Sequence, residues 1–160
     1  MPTRAGKDAC DLLDADHRNV KKLFKEYEEL SNSRARNTAQ KKQELAQQIC
    51  QELTVHAQIE EEIFYPALRE VLKEGDLLNE AAVEHQSVKE LVTQIQAMGA
   101  PDEMFDAKVK VLGEYVDHHV KEEKGEIFPK ARAARKLDLI AMREELEARK
   151  EELMSQMEMA

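Results

Sequence analysis

Four segments of the chain repeat apolar residues at a spacing of three and four, and each places a histidine within that apolar series. This spacing collects the residues on one face of an α-helix, which must pack against other helices. In the second and fourth segments a glutamate follows the histidine by one helical turn. The ionisable residues on the four faces are His17, His56, Glu60, His85, His119 and Glu123. The pattern predicts an all-α protein, an antiparallel up-down-up-down four-helix bundle.

Residues that start and stop helices give the predicted boundaries. The helices are expected at about Asp8–Leu30, Thr38–Lys73 and Leu77–Met98, followed by a fourth that opens in "APDE" with Pro101 in its first turn. "EGD" should stop the second helix at Gly75. Pro66 and Pro129 lie inside helical patterns and predict kinks or breaks.

Residues 8–135 are therefore expected to form the bundle domain, and residues 136–160 a C-terminal amphipathic helix. This last helix, Leu137 to Met159, has an apolar seam interrupted by Arg149. The seam favours packing back against the bundle. Its alternative use is association, with a second copy of the chain as a homodimer or with another protein, for which its methionines offer an adaptable surface.

Composition narrows the function classes. The chain has 160 residues, enough for one well-buried domain, and only 5 glycines. A net charge of −9 and the lack of a basic stripe argue against nucleic acid as a partner. The N-terminus lacks a signal-peptide apolar region and no apolar run could span a bilayer, so no membrane partner and a cytoplasmic location are expected. Cys10 and Cys50 suit neither a thiolate zinc site nor a disulfide framework, and helix geometry keeps them apart.

The histidines and glutamates on the apolar faces must be satisfied together. A single histidine on such a face is usually a hydrogen-bonded core residue, but four on four helices with two glutamates are poorly explained by chance. Burial of unpaired ionisable groups costs several kcal/mol each. Four imidazoles and two carboxylates exceed the needs of one tetrahedral zinc. Two metal ions with a mixed nitrogen and oxygen shell, iron or manganese, fit better.

An internal repeat supports one shared site. "HAQIEEEIFYPALR" begins at His56 and "HVKEEKGEIFPKAR" at His119, and each has a glutamate four residues later and a proline ten later. The same alignment selects His119 over His118, which lies about 100° around the helix. Glu61 and Glu62 fall off the apolar face and are expected to be solvated.

At these residues the chain resembles the hemerythrin family, specifically the bacterial HHE cation-binding domains. The resemblance runs from about Asp8 to Arg135. It implies a non-haem di-iron centre in which all six residues above are ligands, Glu60 and Glu123 bridge the irons, and an oxo or hydroxo bridge joins them. Manganese or zinc are alternative metals. A ferritin-like centre fits less well, because no glutamate lies three residues before any of the four histidines.

One departure from the family bears on function. Oxygen-carrying hemerythrins have a fifth histidine one turn from the third-helix histidine, whereas this chain has Ala81 and Lys89 at those positions. Reversible oxygen carriage is therefore not favoured. Water or another side chain would take the vacated position, and Tyr115 and Glu52 are candidates because each precedes a ligand histidine by one turn.

The resemblance implies a protein that binds dioxygen, peroxide or nitric oxide, in redox or oxygen sensing, peroxide breakdown or iron handling. Catalase-like peroxide disproportionation would make it an enzyme, and the sequence leaves that open. The alternative from a different class is a non-enzymatic metal-binding or sensor module that acts through a protein partner. A bundle with a purely structural role is the least favoured.

Overall fold

The computed structural model describes residues 8–33, 38–100 and 102–159, and these are helical with no strand among them. Seven α-helices run in chain order: α1 Ala9–Ser31, α2 Ala39–Ile59, α3 Tyr65–Val71, α4 Gly75–Gln96, α5 Phe105–Glu122, α6 Phe128–Ala133 and α7 Leu139–Met159. Two π-helical turns join α2 to α3 and α5 to α6. The predicted all-helical class is confirmed. None of these helices is both long and apolar enough to cross a bilayer.

The long helices α1, α2, α4 and α5 form the bundle, and contacts between their ends show antiparallel neighbours. Near one end of the bundle, Tyr27 late in α1 donates to Asp106 early in α5 at 2.6 Å. Lys42 early in α2 reaches the same carboxylate at 3.1 Å. At the opposite end Arg132 of α6 bonds Asp8, which caps α1 through a capping box with Asp11. The N-terminus of α1 is thus fixed to the far end of the fourth bundle helix.

Two helix boundaries differ from those predicted, for local reasons. Gly75 does not stop the second helix but is the first residue of α4, since α3 already ends at Val71. Pro101, which was expected in the first turn of the fourth helix, lies outside the described residues. The fourth helix begins at Phe105. A tight turn precedes it, in which the Asp102 carboxylate accepts a hydrogen bond from the Met104 backbone N–H at 2.8 Å.

The predicted kinks at Pro66 and Pro129 take the form of π turns. These turns span Glu60–Phe64 and Glu123–Ile127, and each ends two residues before its proline. A proline within an α-helix clashes with the carbonyl four residues earlier and lacks an N–H. A π turn lengthens the hydrogen bond to five residues and relieves that conflict while the chain stays helical. Both turns begin at a glutamate that the sequence placed in the site.

Helix α7 packs along α1 and α2, on the outside of the four-helix bundle. Its Met142, Leu146 and Leu153 are buried. The whole apolar core falls into two clusters, one towards each end of the bundle. The layer of histidines and glutamates lies between them.

Candidate metal centre

The six residues selected from the sequence come together in the middle of the bundle, and all are at most 7% exposed. The histidines form two pairs, each pair drawn from one half of the chain. The Nε2 atoms of His17 and His56 lie 3.1 Å apart, and those of His85 and His119 lie 3.2 Å apart. Each pair therefore presents two nitrogen donors to one point.

The two glutamates connect the pairs. Glu60 Oε1 lies 3.2 Å from His56 Nε2 on its own helix and 3.1 Å from His85 Nε2 of the other pair. Glu123 repeats this in the opposite sense, with Oε2 3.3 Å from His119 Nε2 and Oε1 3.0 Å from His17 Nε2. Both carboxylates thus span the two histidine pairs, which is the arrangement expected of bridging ligands.

The donor set fits metal cations. Both carboxylate oxygens of Glu60 and Oε1 of Glu123 are buried and make no hydrogen bond within the described residues. Buried carboxylate oxygens without partners are strongly unfavourable unless a cation is present. His17, His56, Glu60 and Glu123 form one group able to hold a metal ion, and Glu60, His85 and His119 form a second.

The imidazoles and carboxylates of this layer shift each other's pKa values. Burial lowers the pKa of His119, but hydrogen bonds to Glu123 and Glu84 outweigh it and raise that pKa to about 10. Burial likewise raises the pKa of Glu123, yet the adjacent imidazoles of His119 and His17 hold that pKa well below its usual range. The site thus favours negative carboxylates beside positive charge. A metal cation bound there takes the place of imidazole protons.

Around the layer, carboxylates accept from the outward nitrogens of three histidines. His56 Nδ1 lies 3.0 Å from Asp16, His85 Nδ1 2.9 Å from Glu61, and His119 Nδ1 2.7 Å from Glu84. A carboxylate at Nδ1 fixes the tautomer that leaves Nε2 free to bind a metal. His17 Nδ1 lies farther from its carboxylate, 4.0 Å from Asp14.

One expectation from the sequence is incomplete. Glu61 is exposed, as expected, but it also accepts from His85 Nδ1 at 2.9 Å and pairs with Lys89 at 2.5 Å. Glu62 does pair at the surface, with Arg149 of α7 at 2.8 Å. Helical spacing does not reveal this role, because it selects residues on the inward face, whereas Glu61 bonds the outward nitrogen of His85.

Tyr65 also belongs to the site, although helical spacing did not select it. Its hydroxyl donates to Glu123 in a short hydrogen bond and lies 3.2 Å from His119 Nε2 and 3.4 Å from His85 Nε2. Tyr115 and Glu52, the candidates for the position of the missing fifth histidine, do not belong to the cluster. Tyr115 is 46% exposed, and Glu52 is half-buried at the flank. His118, expected to be peripheral, is 70% exposed in its side chain and pairs with Glu84 at 3.4 Å.

The two halves of the internal repeat differ at the position of Tyr65, which makes the centre asymmetric. Phe128 occupies the position in the second half that Tyr65 occupies in the first. Its ring stacks on His17 with a centroid distance of 6.1 Å and supplies no donor atom. The His85–His119 pair therefore has an additional oxygen beside it, whereas the ring at the equivalent place beside His17 has none.

A small cavity touches all four histidines. Its volume is about 30 Å³, and Val20, Leu53, Val88, Val116 and Val120 supply most of its apolar wall. One water needs roughly 10–15 Å³ of such volume, so the cavity has room for about two non-hydrogen atoms. The cavity is therefore much smaller than a pocket for a drug-sized organic ligand.

Comparison with known proteins decides the family. The model of the hemerythrin HHE cation-binding domain matches residues 8–131. The chain belongs to this family. The resemblance read from its motifs is thereby confirmed, and the His/Glu cluster of this HHE domain is able to hold metal.

Two individual proteins extend the comparison. A DNA nickase of Nostoc sp. is 36% identical over 118 residues, which are 74% of this chain but 32% of that protein. The chain thus spans about a third of the length of this relative. The crystal structure of a hemerythrin HHE cation-binding domain-containing protein from Mycobacterium kansasii superposes with a TM-score of 0.75 at 21% identity, covering 93% of this chain and 88% of that one. At this identity the likeness establishes the fold.

Proposed function

We propose that this HHE domain is a non-haem di-iron protein that binds dioxygen, peroxide or nitric oxide. The supporting observation is the pair of buried carboxylates, each spanning two histidine pairs and retaining oxygens without hydrogen-bond partners. One iron would be held by His17 and His56, the other by His85 and His119, with Glu60 and Glu123 bridging. A mixed imidazole and carboxylate shell suits iron, and manganese or zinc would be substitutes.

Bound iron would supply an open coordination position and a change of oxidation state. The chain's own residues set where a ligand enters. Tyr65 is the additional oxygen donor beside the His85–His119 pair, whereas Phe128 stacked on His17 adds none. We therefore assign the open position to the His17–His56 side. The valine-lined cavity, which touches all four histidines, would limit the ligand to about two heavy atoms.

Metal content tests the proposal most directly. Iron-loaded protein should contain about two irons per chain, and loss of a side chain that binds the metal directly typically removes the metal it holds. His119→Ala is expected to lose iron. His118→Ala, which removes the exposed neighbour, should retain it. Loss of iron from His118→Ala alone, or a purified protein that binds no iron, would overturn the assignment.

A second measurement separates an enzyme from a binding module. Peroxide added to the iron-loaded protein should release oxygen if the centre disproportionates peroxide. Binding without turnover would favour a sensor module acting through a partner. That alternative has support in the Nostoc relative, in which the matching region is about a third of a longer protein. No nicking activity is proposed for this chain, whose net charge of −9 opposes contact with DNA.

A further inference from the structure

Helix α7 contacts the metal layer indirectly through consecutive basic residues. Arg149 pairs with Glu62, the central residue of the first π turn. Lys150 Nζ lies 2.5 Å from Oδ1 of Asp16 in α1. The other oxygen of that carboxylate, Oδ2, accepts from His56 Nδ1 at 3.0 Å. A continuous series of polar contacts therefore joins α7 to one histidine of the candidate centre.

Asp16 depends on both partners because it is buried. Its residue is 6% exposed, and each carboxylate oxygen has its own donor. A buried carboxylate that loses a charged donor retains the desolvation cost without the compensating bond. Without Lys150, Oδ1 would be left without this donor, and the orientation of Oδ2 towards His56 would be less fixed.

We propose that Lys150 is a positioning residue of the metal centre, acting through Asp16 on His56. It holds the carboxylate in the orientation that accepts the Nδ1 proton, so that His56 presents Nε2 to the metal. This inference rests on the proposed metal centre. It also makes α7, which lies beyond the matched residues 8–131, a part of the site and not an appendage.

The other outer carboxylates differ in the origin of their cations. Lys89 of α4 holds Glu61, and Lys124 of the second π turn lies 3.4 Å from Asp14. His118 of α5 pairs with Glu84. Within the described residues, His56 is thus the one cluster histidine whose carboxylate takes its cation from α7.

The test is a competition for Fe²⁺ between the protein and a chelator under anaerobic conditions. Outer partners of metal-bound histidines typically change affinity by about 10–100-fold, so Asp16→Ala should weaken Fe²⁺ binding by that factor. Lys150→Met, one contact farther out, should weaken it by roughly 3–10-fold. Lys150→Arg keeps the charge and should remain within about 2-fold of the unaltered protein.

Arg149→Met is the matched control, because it removes an ion pair between α7 and the bundle but contacts no histidine-bound carboxylate. Its Fe²⁺ affinity should stay within about 2-fold of the unaltered protein. The double variant Asp16→Ala, Lys150→Met should bind as Asp16→Ala alone does, because the lysine acts through the aspartate. Should Asp16→Ala fail to fold, Asp16→Asn takes its place in the cycle.

The outcomes separate the two proposals. Failure of the unaltered protein to bind Fe²⁺ overturns the metal centre and this inference with it. Normal binding by the unaltered protein together with unchanged affinity in Lys150→Met overturns the role of Lys150 alone. Equal weakening in Arg149→Met, or a further loss in the double variant, shows that α7 acts by general docking and also overturns it.

Discussion

At the scale of single residues, the centre is set by atoms that face outward as well as by those that face the metal position. A histidine binds metal through Nε2 only if Nδ1 carries the proton, and Asp16, Glu61 and Glu84 select that tautomer for three of the four histidines. His17 relies on a more distant Asp14 and on the ring of Phe128. The His17 side is therefore the less constrained one, which agrees with its assignment as the ligand-binding side.

Glu61 and Glu62 provide a test of the carboxylates that accept from the outward histidine nitrogens. Glu61→Gln should lower iron affinity by about 10–100-fold, since it weakens the acceptor that holds His85 Nδ1 and leaves Lys89 without a charged partner. Glu62→Gln removes the same charge one residue later, where the partner is Arg149 at the surface, and should leave affinity nearly unchanged. Chelator competition measures both. Equal effects would mean that local charge, and not the hydrogen bond to His85, controls binding.

Tyr65 offers a spectroscopic prediction. A tyrosine that binds Fe³⁺ loses its hydroxyl proton, which Tyr65 otherwise donates to Glu123. The resulting phenolate gives a visible charge-transfer absorption, and tyrosine is a known protein ligand of iron. Iron-loaded protein should show this absorption, and Tyr65→Phe should lose it. Tyr115→Phe makes the same chemical change at an exposed position and should keep the spectrum. A Tyr65→Phe protein with unaltered visible absorption would remove Tyr65 from the donor set.

The sequence located the six central residues because each half of the repeat presents them at helical spacing. It missed Tyr65 for a definite reason. In a regular α-helix the residue five positions after Glu60 points away from it, but in the π turn the Tyr65 N–H bonds the Glu60 carbonyl directly. The prolines at equivalent places in both halves indicated an irregularity, yet not its hydrogen-bond pattern. Residues beyond that point could not be assigned to faces from the α-helical period.

At the scale of elements, each π turn both positions a glutamate of the centre and accommodates a proline. Each turn starts at a glutamate of the centre and ends just before a proline. Single π turns inside helices are commonly found at functional sites. Here the extra residue per turn brings Glu60 and Tyr65 to one side of the bundle core, which an α-helix of the same sequence would not do.

Two glycines of the fourth bundle helix and its π turn give an element-scale prediction. Gly125 lies in the second π turn, and an added Cβ would meet no atom within 4 Å. Gly125→Ala should raise the free energy of unfolding by about 0.5–1 kcal/mol, because alanine loses less backbone entropy. Urea denaturation measures the change.

Gly113 is the matched position for that substitution. A Cβ there would lie 3.3 Å from the Phe24 ring across the groove between α1 and α5. The ring must shift, so Gly113→Ala should gain less stability than Gly125→Ala or lose some. A larger gain at Gly113 would show that Phe24 moves freely and does not fill this groove.

The helices and their boundaries were not predicted equally well from the sequence. Periodicity found every long helix because apolar spacing persists over many residues. Ends were less well predicted, since Gly75 starts α4 although glycine more often follows a helix. At the start of α5, the Asp102 carboxylate bonds a nearby backbone N–H in a turn and delays the helix to Phe105. Such competition depends on a few side-chain bonds that composition does not reveal.

At the scale of the whole molecule, the polar layer divides the apolar core in two. One cluster includes the buried face of α7, with Leu146 fully enclosed, and the other surrounds Phe105 and Leu112. Cys10 and Cys50 fall in different clusters, are both free and buried, and have pKa values raised by burial to about 12. Neither thiol is therefore readily deprotonated to the reactive thiolate. The layer of histidines and glutamates lies between the two clusters, so the stability of the bundle should depend on whether metal is bound in this layer.

Metal removal should therefore destabilise the whole chain. A ligand that binds only the folded state adds stability as RT ln(1 + [L]/Kd), about 2.7 kcal/mol when free metal is 100 times Kd. For a chain of this size each kcal/mol moves Tm by roughly 2–4 °C. Iron-loaded protein should thus melt about 5–11 °C above the metal-free form under anaerobic conditions. Differential scanning calorimetry with and without a chelator measures the difference.

Glu60→Gln supplies the control for this shift, because Glu60 bridges both histidine pairs and both its oxygens lack hydrogen-bond partners. The amide keeps the shape of the side chain but removes the buried negative charge. Metal-free Glu60→Gln should melt at or above the metal-free parent, since an uncompensated buried charge is costly. On addition of Fe²⁺ its Tm should rise much less than that of the parent. A parent that melts at the same temperature with and without iron, or a variant stabilised equally by iron, would show that the layer is a structural polar network and not a metal centre.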